Sequence, residues 1–444
     1  MSKLVVQSKI KKFNKVISVD ADKSLSIRSL LIGSQSYGIC KIKNISKSGD
    51  TLSTIEGLRK LGIKIVLQKK STCLVYGNGL NGFFFKKNIL IDAGNSGTFA
   101  RLLLGLLVRS PYEIKLIGDN SLSKRDFERI TAPLKEFGAC FKTSKKKGLP
   151  LKISGSEFLK PIYYFEKRGS AQCKSSVMLA ALNTPGKTII NARKSRDHTE
   201  LFFKYLNLPI KTLKKNYYDI IEVQGIRQFK SFNYTIPGDM SSCAFFIVLT
   251  LLSNNSKLII KNININPTRI GFIKIVNKMG ANIKFLNKKI VCGEKIADIS
   301  VKSQKRIKPI NCPIKFNSNA IDEFLIIFLL ASKASGVSKF KKLEELNKKE
   351  SPRLTQASKI LKKMGIKVKL IKDSIKIYGN PNINLKKKIL IDKYRKDHRV
   401  FMTSVIAALS FGGKWIINDA DSYKSSFPSF LKIVQKLGYK LKII

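Results

Sequence analysis

The sequence predicts an α/β protein of two lobes, each built from three copies of one helix–strand unit. Three observations indicate this class. A phrase that reads as the end of a helix followed by a strand recurs six times. Polar segments precede the apolar helical runs at similar intervals. A Pro-Gly pair interrupts a strand-like run near the middle of the chain, and 444 residues are enough for two or three domains.

The recurring phrase joins an amphipathic helix, a glycine or asparagine, and an alternating strand, as in LRKLGIKIVL from Leu58 and LKKMGIKVKLI from Leu361. Glycine accepts the left-handed conformation that ends many helices, and asparagine is the next best residue there. The pattern therefore predicts six equivalent helix ends, spaced by about 75 residues. They are Gly62, Gly138, Asn207, Gly280, Gly365 and Gly438.

The predicted helix starts contain Asp, Asn, Ser or Thr, which accept hydrogen bonds from the unpaired N–H groups of a first helical turn. They are Asp22-Lys23-Ser24, Asn95-Ser96-Gly97-Thr98, Ser170-Ala171-Gln172, Asp239-Met240-Ser241-Ser242, Asp322-Glu323 and Asp397-His398-Arg399. For Ser241 and Ser242, capping and anion binding remain equal alternatives. Six such helix N-termini directed at one place would bind a polyanion without a P-loop.

The charge is strongly positive, with 84 basic against 29 acidic residues and a net charge of +55. Three interpretations are open: a nucleic-acid partner, small polyanionic substrates, or compositional bias. Because the excess is spread along the whole chain rather than held in one patch, bias is the favoured interpretation.

Several other classes of function are disfavoured. The seven cysteines are scattered without a CxxC pair, which indicates a reducing cytoplasm, and two histidines make a histidine-based metal site improbable. The longest apolar runs are too short to span a membrane. A GxGxxG match at 77–82 is not followed by a helix start, so binding of a dinucleotide such as NAD is not expected.

Arginine marks the candidate anion sites better than lysine does, since 69 of the 84 basic residues are lysine. Arginine is a rigid two-pronged donor that suits phosphate and carboxylate. Seven of the fifteen arginines lie in or beside the polar segments: Arg28, Arg101, Arg125, Arg196, Arg269, Arg353 and Arg399. Arg101 is either a surface or structural partner or a functional group. Lys174 is interpreted as a solvated residue of a helix face, and His198 and His398 as structural.

Eleven segments in chain order resemble the 5-enolpyruvylshikimate-3-phosphate synthase family. They are DKSLSIRSL at 22–30, DAGNSGTFARLL at 92–103, GDNSLSKRDFERI at 118–130, GSAQCKSSVMLAAL at 169–182, SRDHTELF at 195–202, IPGDMSSCAFF at 236–246, NPTRIGF at 266–272, AIDEF at 320–324, LEELNKKESPRL at 343–354, DHRVFM at 397–402 and SSFPSF at 425–430.

The resemblance implies a two-domain inside-out α/β barrel with six repeated βαβαββ-like units, three per domain. Residues 21–238 would form an N-terminal lobe, and residues 1–20 with 239–444 a C-terminal lobe. The active site would lie in the cleft between the lobes. The resemblance also implies a cytoplasmic monomer without cofactor or metal, bound to neither a membrane nor a specific nucleic acid.

The implied reaction transfers the enolpyruvyl group of phosphoenolpyruvate to the 5-hydroxyl of shikimate 3-phosphate. By resemblance, Asp322 accepts the hydroxyl proton, Glu350 handles the methylene proton and Lys23 assists. The residues implied for shikimate 3-phosphate are Lys23, Ser24, Arg28, Ser170, Ala171, Gln172, Ser195, Arg196, Asp322 and Lys349. Those implied for phosphoenolpyruvate are Lys23, Asn95, Gly97, Arg125, Gln172, Arg353 and Arg399.

Two features depart from or refine this pattern. Asp126 stands where proline often follows the clamp arginine in the family, and an acid there is expected to weaken the field of Arg125. Gly97 implies sensitivity to glyphosate, because a larger residue there obstructs that inhibitor in the family.

Two alternatives compete with this assignment. A UDP-N-acetylglucosamine enolpyruvyl transferase shares the fold, but it usually carries a Lys-Asn pair near its start, whereas Ser24 follows Lys23 here. A basic nucleic-acid-binding protein would have no use for Asp322 and Glu350.

Overall fold

Helices and strands alternate along almost the whole chain in the computed structural model, which describes residues 2–143 and 147–444. Over these residues the helices are α1 (Lys23–Ser34), α2 (Gly49–Lys60), α3 (Gly97–Leu106), α4 (Glu128–Glu136), α5 (Ala171–Leu182), α6 (His198–Tyr205), α7 (Met240–Leu252), α8 (Gly271–Lys278), α9 (Phe324–Ala331), α10 (Arg353–Lys363), α11 (His398–Phe411) and α12 (Phe430–Lys436).

The strands are short, and most of them alternate between buried and exposed side chains, as expected for sheets with one solvated face. They are β1 (Lys3–Val6), β2 (Asn14–Ile17), β3 (Tyr37–Lys43), β4 (Ile65–Gln68), β5 (Thr72–Asn78), β6 (Ile89–Asp92), β7 (Ile114–Ile117), β8 (Cys140–Thr143), β9 (Leu151–Ser154), β10 (Tyr163–Glu166), β11 (Lys187–Arg193), β12 (Ile210–Lys214), β13 (Tyr218–Gln224), β14 (Asn233–Thr235), β15 (Lys257–Asn264), β16 (Ile283–Val291), β17 (Glu294–Lys302), β18 (Val337–Phe340), β19 (Lys367–Ile371), β20 (Ser374–Tyr378), β21 (Leu385–Ile391), β22 (Gly412–Asn418) and β23 (Lys442–Ile443).

The chain divides into two compact units. The N-terminal unit contains Ala21–Ile236 and Ile290–Glu294, and the C-terminal unit contains Met1–Asp20, Pro237–Lys289 and Lys295–Ile444. The structure thus assigns residues 237–238 to the C-terminal unit and residues 290–294 to the N-terminal unit, which differs from the predicted boundaries. Each unit has its own contiguous hydrophobic core.

Each sheet of the N-terminal unit pairs its first two strands in parallel and the rest antiparallel. The strand orders are β14-β3-β5-β4, β6-β7-β9-β8 and β10-β11-β13-β12. In the second sheet the chain runs β6, α3, β7, α4, β8, β9, which is one βαβαββ unit. In the first sheet the parallel edge strand is β14, which comes last in the sequence of the unit, after the strands of the other two sheets.

The C-terminal unit repeats this plan with two strands supplied by the first twenty residues. Its strand orders are β16-β17-β15-β2, β18-β20-β19 and β21-β22-β1-β23. Strand β2 lies parallel to β15, and β1 lies antiparallel between β22 and β23. In the second sheet, isolated bridges such as Asn311 to Lys339 take the place of a regular parallel edge strand. The predicted fold of six repeated α/β units, three in each lobe, is confirmed.

One helix of each repeat is buried on all sides, and this helix sets the inside-out character of the fold. Every residue of α3, α7 and α9 is buried, and α1, α5 and α11 are buried over all but their first turn. The other helices bury only one face. Although α7 and α9 are almost wholly apolar, no helix within the described ranges is long and apolar enough to cross a membrane.

The six polar segments do lie at the starts of the buried helices. The N-cap side chains of five helices accept backbone N–H groups of the first turn: Asp22, Ser96, Ser170, Asp239 and Asp397. Helix α9 is the exception, because Glu323 at its start makes no capping bond and instead accepts a hydrogen bond from Ser241. Ser241 and Ser242 lie inside the first turn of α7, so neither is its cap.

The six predicted helix ends are confirmed. Their φ angles lie between +53° and +118°, in the left-handed region that favours glycine. The positions are Gly62, Gly138, Asn207, Gly280, Gly365 and Gly438.

Two of these glycines allow a matched stability test. A Cβ on Gly62 would lie 2.2 Å from the carbonyl oxygen of Phe84, whereas a Cβ on Gly438 would meet no described atom within 4 Å. We expect Gly438→Ala to lower the free energy of unfolding by about 1 kcal/mol through left-handed strain. Gly62→Ala should cost about 3 kcal/mol, because the Phe84 backbone must also move. Urea denaturation followed by circular dichroism measures both, and equal losses would contradict the assignment.

Candidate functional site

Lys23 is the first residue of α1, and its charge is balanced inside the N-terminal unit. Its Nζ lies 2.6 Å from Oδ2 of Asp50, on α2, and both side chains are largely buried. No pattern in the sequence indicates Asp50, because the contact depends on how α1 packs on α2. Any anion that binds Lys23 therefore competes with a resident carboxylate.

Arg28 lies one turn further along α1 and is buried among hydroxyl groups. Its Nε donates to Oγ1 of Thr199 at 2.9 Å, its Nη2 to Oγ of Ser175 at 3.3 Å, and its Nη1 to the carbonyl oxygen of Ser24 at 3.1 Å. Burial lowers the pKa of Arg28 to about 10, so the guanidinium stays charged at neutral pH.

Asn95, Gly97 and Arg125 come together at the start of α3. Nη2 of Arg125 donates to Oδ1 of Asn95 at 3.3 Å, and the amide of Asn95 donates to Asp119 at 2.5 Å. A Cβ on Gly97 would lie 3.0 Å from Nη1 of Arg125. The small residues of the sequence Ala93-Gly94-Asn95-Ser96-Gly97 thus leave room for an arginine over the helix N-terminus.

Arg101 is a buried partner of Gln172. Its Nη1 donates to Oε1 of Gln172 at 2.6 Å, and Nε2 of Gln172 donates to Oγ1 of Thr98 at 3.0 Å. The Arg101 guanidinium also stacks over Phe127, 5.2 Å from the ring centre. Burial, together with the neighbouring arginines at 125 and 129, lowers the pKa of Arg101 to about 9. This buried position is not that of a surface residue.

Asp126 has a partner that the sequence did not indicate. Its carboxylate accepts a hydrogen bond from Nη1 of Arg168 at 3.2 Å. Burial opposes ionisation of Asp126, but this bond and the nearby Arg129 lower its pKa. The carboxylate also accepts the backbone N–H of Glu128 at 2.9 Å. The expectation that Asp126 weakens the field of Arg125 stays a prediction.

Ser170, Ala171, Ser195 and Arg196 lie at the starts of α5 and α6. Oγ of Ser170 caps α5 by accepting the N–H of Cys173 at 3.3 Å, and Ala171 is the first helical residue. Ser195 and Arg196 lie in the loop between β11 and α6. The buried hydroxyl of Ser195 has no hydrogen-bond partner among the described residues, so a ligand oxygen could satisfy it.

The prediction that Lys174 is solvated is wrong. Only 1% of its side chain is exposed, and its Nζ lies 2.5 Å from Oε1 of Glu200, which is also buried. This ion pair joins the first turn of α5 to the first turn of α6. The residues next to Lys174 in the sequence do not indicate this ion pair, because the partner Glu200 lies on another helix.

In the C-terminal unit, Arg353 holds three carboxylates. Its guanidinium contacts Glu350, lies 3.0 Å from Asp397, and lies 3.5 Å from Asp322. Nζ of Lys349 is 3.3 Å from the same oxygen of Asp322. The two predicted acids therefore share one buried arginine, which is the first residue of α10.

The electrostatics of this cluster follow from burial and charge. Burial alone would lower the pKa of Arg353, but Asp397, Glu350 and Asp322 raise it above its ordinary value. Burial would raise the pKa of Asp397, but Arg353 lowers it. Asp397 also caps α11 by accepting the backbone N–H of Arg399 at 3.0 Å. The sequence predicted this cap but not its ion pair with Arg353.

The predicted site residues are thus divided between the two units, and we call the two groups the N-terminal cluster and the C-terminal cluster. The N-terminal cluster contains Lys23, Ser24, Arg28, Asn95, Gly97, Arg125, Ser170, Ala171, Gln172, Ser195 and Arg196. The C-terminal cluster contains Asp322, Lys349, Glu350, Arg353 and Arg399. In the part of the chain that the structure describes, no group of three or more His, Cys, Asp or Glu residues could hold a metal ion.

Comparison with known proteins gives a consistent result. A sequence model of the family described as EPSP synthase (3-phosphoshikimate 1-carboxyvinyltransferase) matches residues 7–434. The chain is 38% identical over 446 residues to a protein of Ruthia magnifica subsp. Calyptogena magnifica named 3-phosphoshikimate 1-carboxyvinyltransferase, covering 100% of both. It superposes on EPSP synthase from Acinetobacter baumannii with a TM-score of 0.87 at 31% identity, covering 100% of both chains.

A more distant structure, the enolpyruvyl transferase NikO from Streptomyces tendae, superposes with a TM-score of 0.76. It covers 100% of this chain and 99% of its own, at 14% identity, so this likeness concerns the fold alone.

Two aspartates that pair with opposite ends of α10 allow a pH-dependent test. Asp397 pairs with buried Arg353, whereas Asp392 lies 3.6 Å from the more exposed Lys363. We expect Asp397→Asn to lower the free energy of unfolding by about 3 kcal/mol at pH 7, and Asp392→Asn by under about 1 kcal/mol.

The pH dependence follows from the lowered pKa of Asp397. Its stabilising effect is complete above its unfolded pKa of about 3.9 and is lost as the pH falls through the lower folded pKa. The wild type should therefore lose its advantage over Asp397→Asn only in acid. Urea titrations from pH 3 to pH 8 measure this, and a pH-independent difference would contradict it.

Proposed function

Because the chain belongs to the EPSP synthase family, we propose that it transfers the enolpyruvyl group of phosphoenolpyruvate to the 5-hydroxyl of shikimate 3-phosphate. Phosphate is released, and the enzyme is a transferase of the shikimate pathway, in aromatic amino-acid biosynthesis. The observation that carries this proposal is the pair of acids Asp322 and Glu350 on one buried arginine, Arg353. The reaction requires two proton-transfer groups of this kind beside cations that bind its substrates.

The addition needs two proton transfers, and the elimination that follows it needs one. The 5-hydroxyl oxygen bonds to the enol carbon, while that hydroxyl loses its proton and the methylene carbon gains one. The tetrahedral intermediate then loses phosphate as the new methyl group gives a proton back. We assign the hydroxyl proton to Asp322 and the methylene proton to Glu350, with Lys23 assisting. General acid–base groups of this kind contribute about 10²–10⁴-fold each.

The N-terminal cluster supplies the binding groups for shikimate 3-phosphate. Arg28 and Ser24 take its carboxylate, and Lys23 contacts both substrates. We assign its phosphate and ring hydroxyls to residues at or just before the starts of α5 and α6, two helices of the same unit. These residues are Ser170, Ala171, Gln172, Ser195 and Arg196. The unpartnered hydroxyl of Ser195 supports this assignment. Asp322 and Lys349 complete the substrate contacts.

We assign phosphoenolpyruvate to a place where the backbone N–H groups of a helix start lie next to arginine side chains. Asn95, Gly97 and Arg125 stand at the start of α3, where backbone N–H groups and the helix dipole favour an anion. Gln172 is held nearby by Arg101. Arg353 and Arg399 supply further cations. Small anions, rather than a long polymer, suit groups buried this deeply.

Binding of substrate is expected to displace a resident carboxylate and so to release a catalytic group. Glu350 contacts Arg353 in this structure, although Arg353 is also assigned to phosphoenolpyruvate. We infer that the substrate carboxylate takes the place of Glu350 on Arg353. Glu350 is then available to exchange a proton with the methylene carbon. Asp397 keeps Arg353 in place throughout, because it is buried and held at 3.0 Å.

The competing functions fit less well. Nucleic-acid binding would leave Asp322, Glu350 and the buried arginines without a role, so the net charge of +55 is best explained by composition. The whole-chain matches favour shikimate 3-phosphate over a UDP-sugar substrate. That the protein is a monomer stays a prediction, supported by the repulsion that its like charges would cause on self-association. Its location in the cytoplasm also stays a prediction.

The first test measures phosphate release. We expect it to require both shikimate 3-phosphate and phosphoenolpyruvate, and Asp322→Ala to lower kcat by about 10²–10⁴-fold. Asp373→Ala, in the turn between β19 and β20, is the matched control and should keep its rate. Phosphate release from either substrate alone, or an undiminished rate in Asp322→Ala, would refute the function.

The second test concerns Gly97. A methyl group there would lie 3.0 Å from Nη1 of Arg125 and 3.3 Å from Nη1 of Arg101. We expect Gly97→Ala to raise the KM for phosphoenolpyruvate about tenfold, a loss of about 1.4 kcal/mol, by displacing Arg125. The wild type should be inhibited by glyphosate below millimolar concentration, and Gly97→Ala less so.

The control is Gly33→Ala, within α1, where a Cβ would meet its neighbours at an ordinary 3.6 Å. An unchanged KM for phosphoenolpyruvate in Gly97→Ala, or an equal rise in Gly33→Ala, would remove the assignment of Gly97 to this substrate.

A further inference from the structure

We propose that Thr199 is a positioning residue that fixes how Arg28 receives the carboxylate of shikimate 3-phosphate. The inference rests on the proposed function, which assigns that carboxylate to Arg28. Thr199 does not touch the substrate in this proposal. It acts by holding one edge of the guanidinium, so that only the opposite edge can bind an anion.

The hydrogen bonds of Arg28 leave a defined pair of donors. A guanidinium carries five N–H groups, and a carboxylate can bind either across Nε and Nη2 or across Nη1 and Nη2. Nε of Arg28 donates to Thr199, Nη2 to Ser175 and Nη1 to the carbonyl oxygen of Ser24. Within the described residues three of the five N–H groups are thus used, and 5 − 3 = 2 remain, one on each terminal nitrogen. The bond to Thr199 closes the Nε edge.

The hydroxyl of Thr199 is itself held. Its Oγ1 lies 2.7 Å from Oγ of Ser175, and both residues are buried. Next to this pair, Nζ of Lys174 lies 2.5 Å from Oε1 of Glu200. Two adjacent buried contacts therefore tie the first turn of α6 to the first turn of α5.

A third contact fixes the same turn of α6. Nδ1 of His198 lies 2.6 Å from Oε1 of Glu294, and both side chains are buried. Three consecutive residues, His198, Thr199 and Glu200, thus each have a buried polar partner. Residues in sequence point about 100° apart around a helix, so these contacts hold α6 from different directions. Helix α6 therefore cannot rotate or shift to carry Thr199 away from Arg28 without breaking them.

Removing only the hydroxyl tests the proposal. Thr199→Val keeps the volume and β-branching but leaves Nε of Arg28 without an acceptor. The guanidinium of Arg28 can then bind the substrate carboxylate through either edge, so the affinity for shikimate 3-phosphate in the productive orientation falls. We expect the KM for shikimate 3-phosphate to rise about tenfold, with kcat within twofold of wild type and the KM for phosphoenolpyruvate unchanged. Thr199→Ser, which restores the hydroxyl, should recover the wild-type KM.

A substrate analogue separates this role from a merely structural one. In 3-phosphoshikimate whose carboxylate is reduced to a hydroxymethyl group, Arg28 has no carboxylate to orient. Wild type and Thr199→Val should therefore have the same KM for this analogue. The control variant is Thr250→Val in α7, a buried threonine whose hydroxyl donates to the carbonyl oxygen of Phe246 at 2.7 Å. It should change neither KM.

The outcomes distinguish this inference from the proposed function. If the wild type releases no phosphate with both substrates, the proposed function fails. If the wild type is active but Thr199→Val keeps its KM, the inference fails. It also fails if both KM values and kcat change together, or if the analogue shows the same tenfold difference.

If Thr199→Val does not fold, Ser175→Ala provides the test. It removes the weaker bond at 3.3 Å and the partner hydroxyl of Thr199, while Nε keeps its acceptor. We expect a rise of about threefold in the KM for shikimate 3-phosphate and none for the hydroxymethyl analogue. An unchanged KM for shikimate 3-phosphate in Ser175→Ala would overturn the proposal.

Discussion

The burial of one helix in each repeat, complete or nearly so beyond its first turn, is the constraint on which the rest of the structure depends. Such a helix is mostly apolar, as in α7 and α9, and a polar side chain within it needs a buried partner, as Arg28 and Arg101 have. Its solvent-accessible polar side chains are therefore concentrated in its first turn and the loop before it. Those positions have unpaired N–H groups and favour anions. This explains why most of the candidate residues lie at helix starts rather than along helix faces.

Three of the candidate cations are already paired with resident acids. Lys23 contacts Asp50, Lys349 contacts Asp322, and Arg353 contacts three carboxylates. At these three residues, even in a chain with a net charge of +55, binding of an anion is an exchange of partners and not a simple neutralisation. The exchange favours ligands whose geometry matches the arginine fork, and it disfavours anions that offer only charge.

Local features were predictable from the sequence, whereas partners were not. The left-handed glycines and the caps such as Asp22 follow from the conformational needs of a few neighbouring residues. The burial of Lys174 depends on Glu200, which is 26 residues away on another helix, and no local pattern shows it. Asp50 was missed for the same reason. The resemblance to a family supplied the site residues, but it could not show that Arg353 holds both acids.

The N-terminal strand has a consequence for biosynthesis. Strand β1 leaves the ribosome about 400 residues before β22 and β23, the two strands between which it lies. At about 5–20 residues per second, it waits roughly 20–80 s for them. Within that time, the residues of the N-terminal unit up to Ile236 can fold before β1 meets its partners, whereas β2 waits only until β15 has emerged. The C-terminal unit therefore completes its last sheet only when the end of the chain has been synthesised, long after all strands of the N-terminal sheets have emerged.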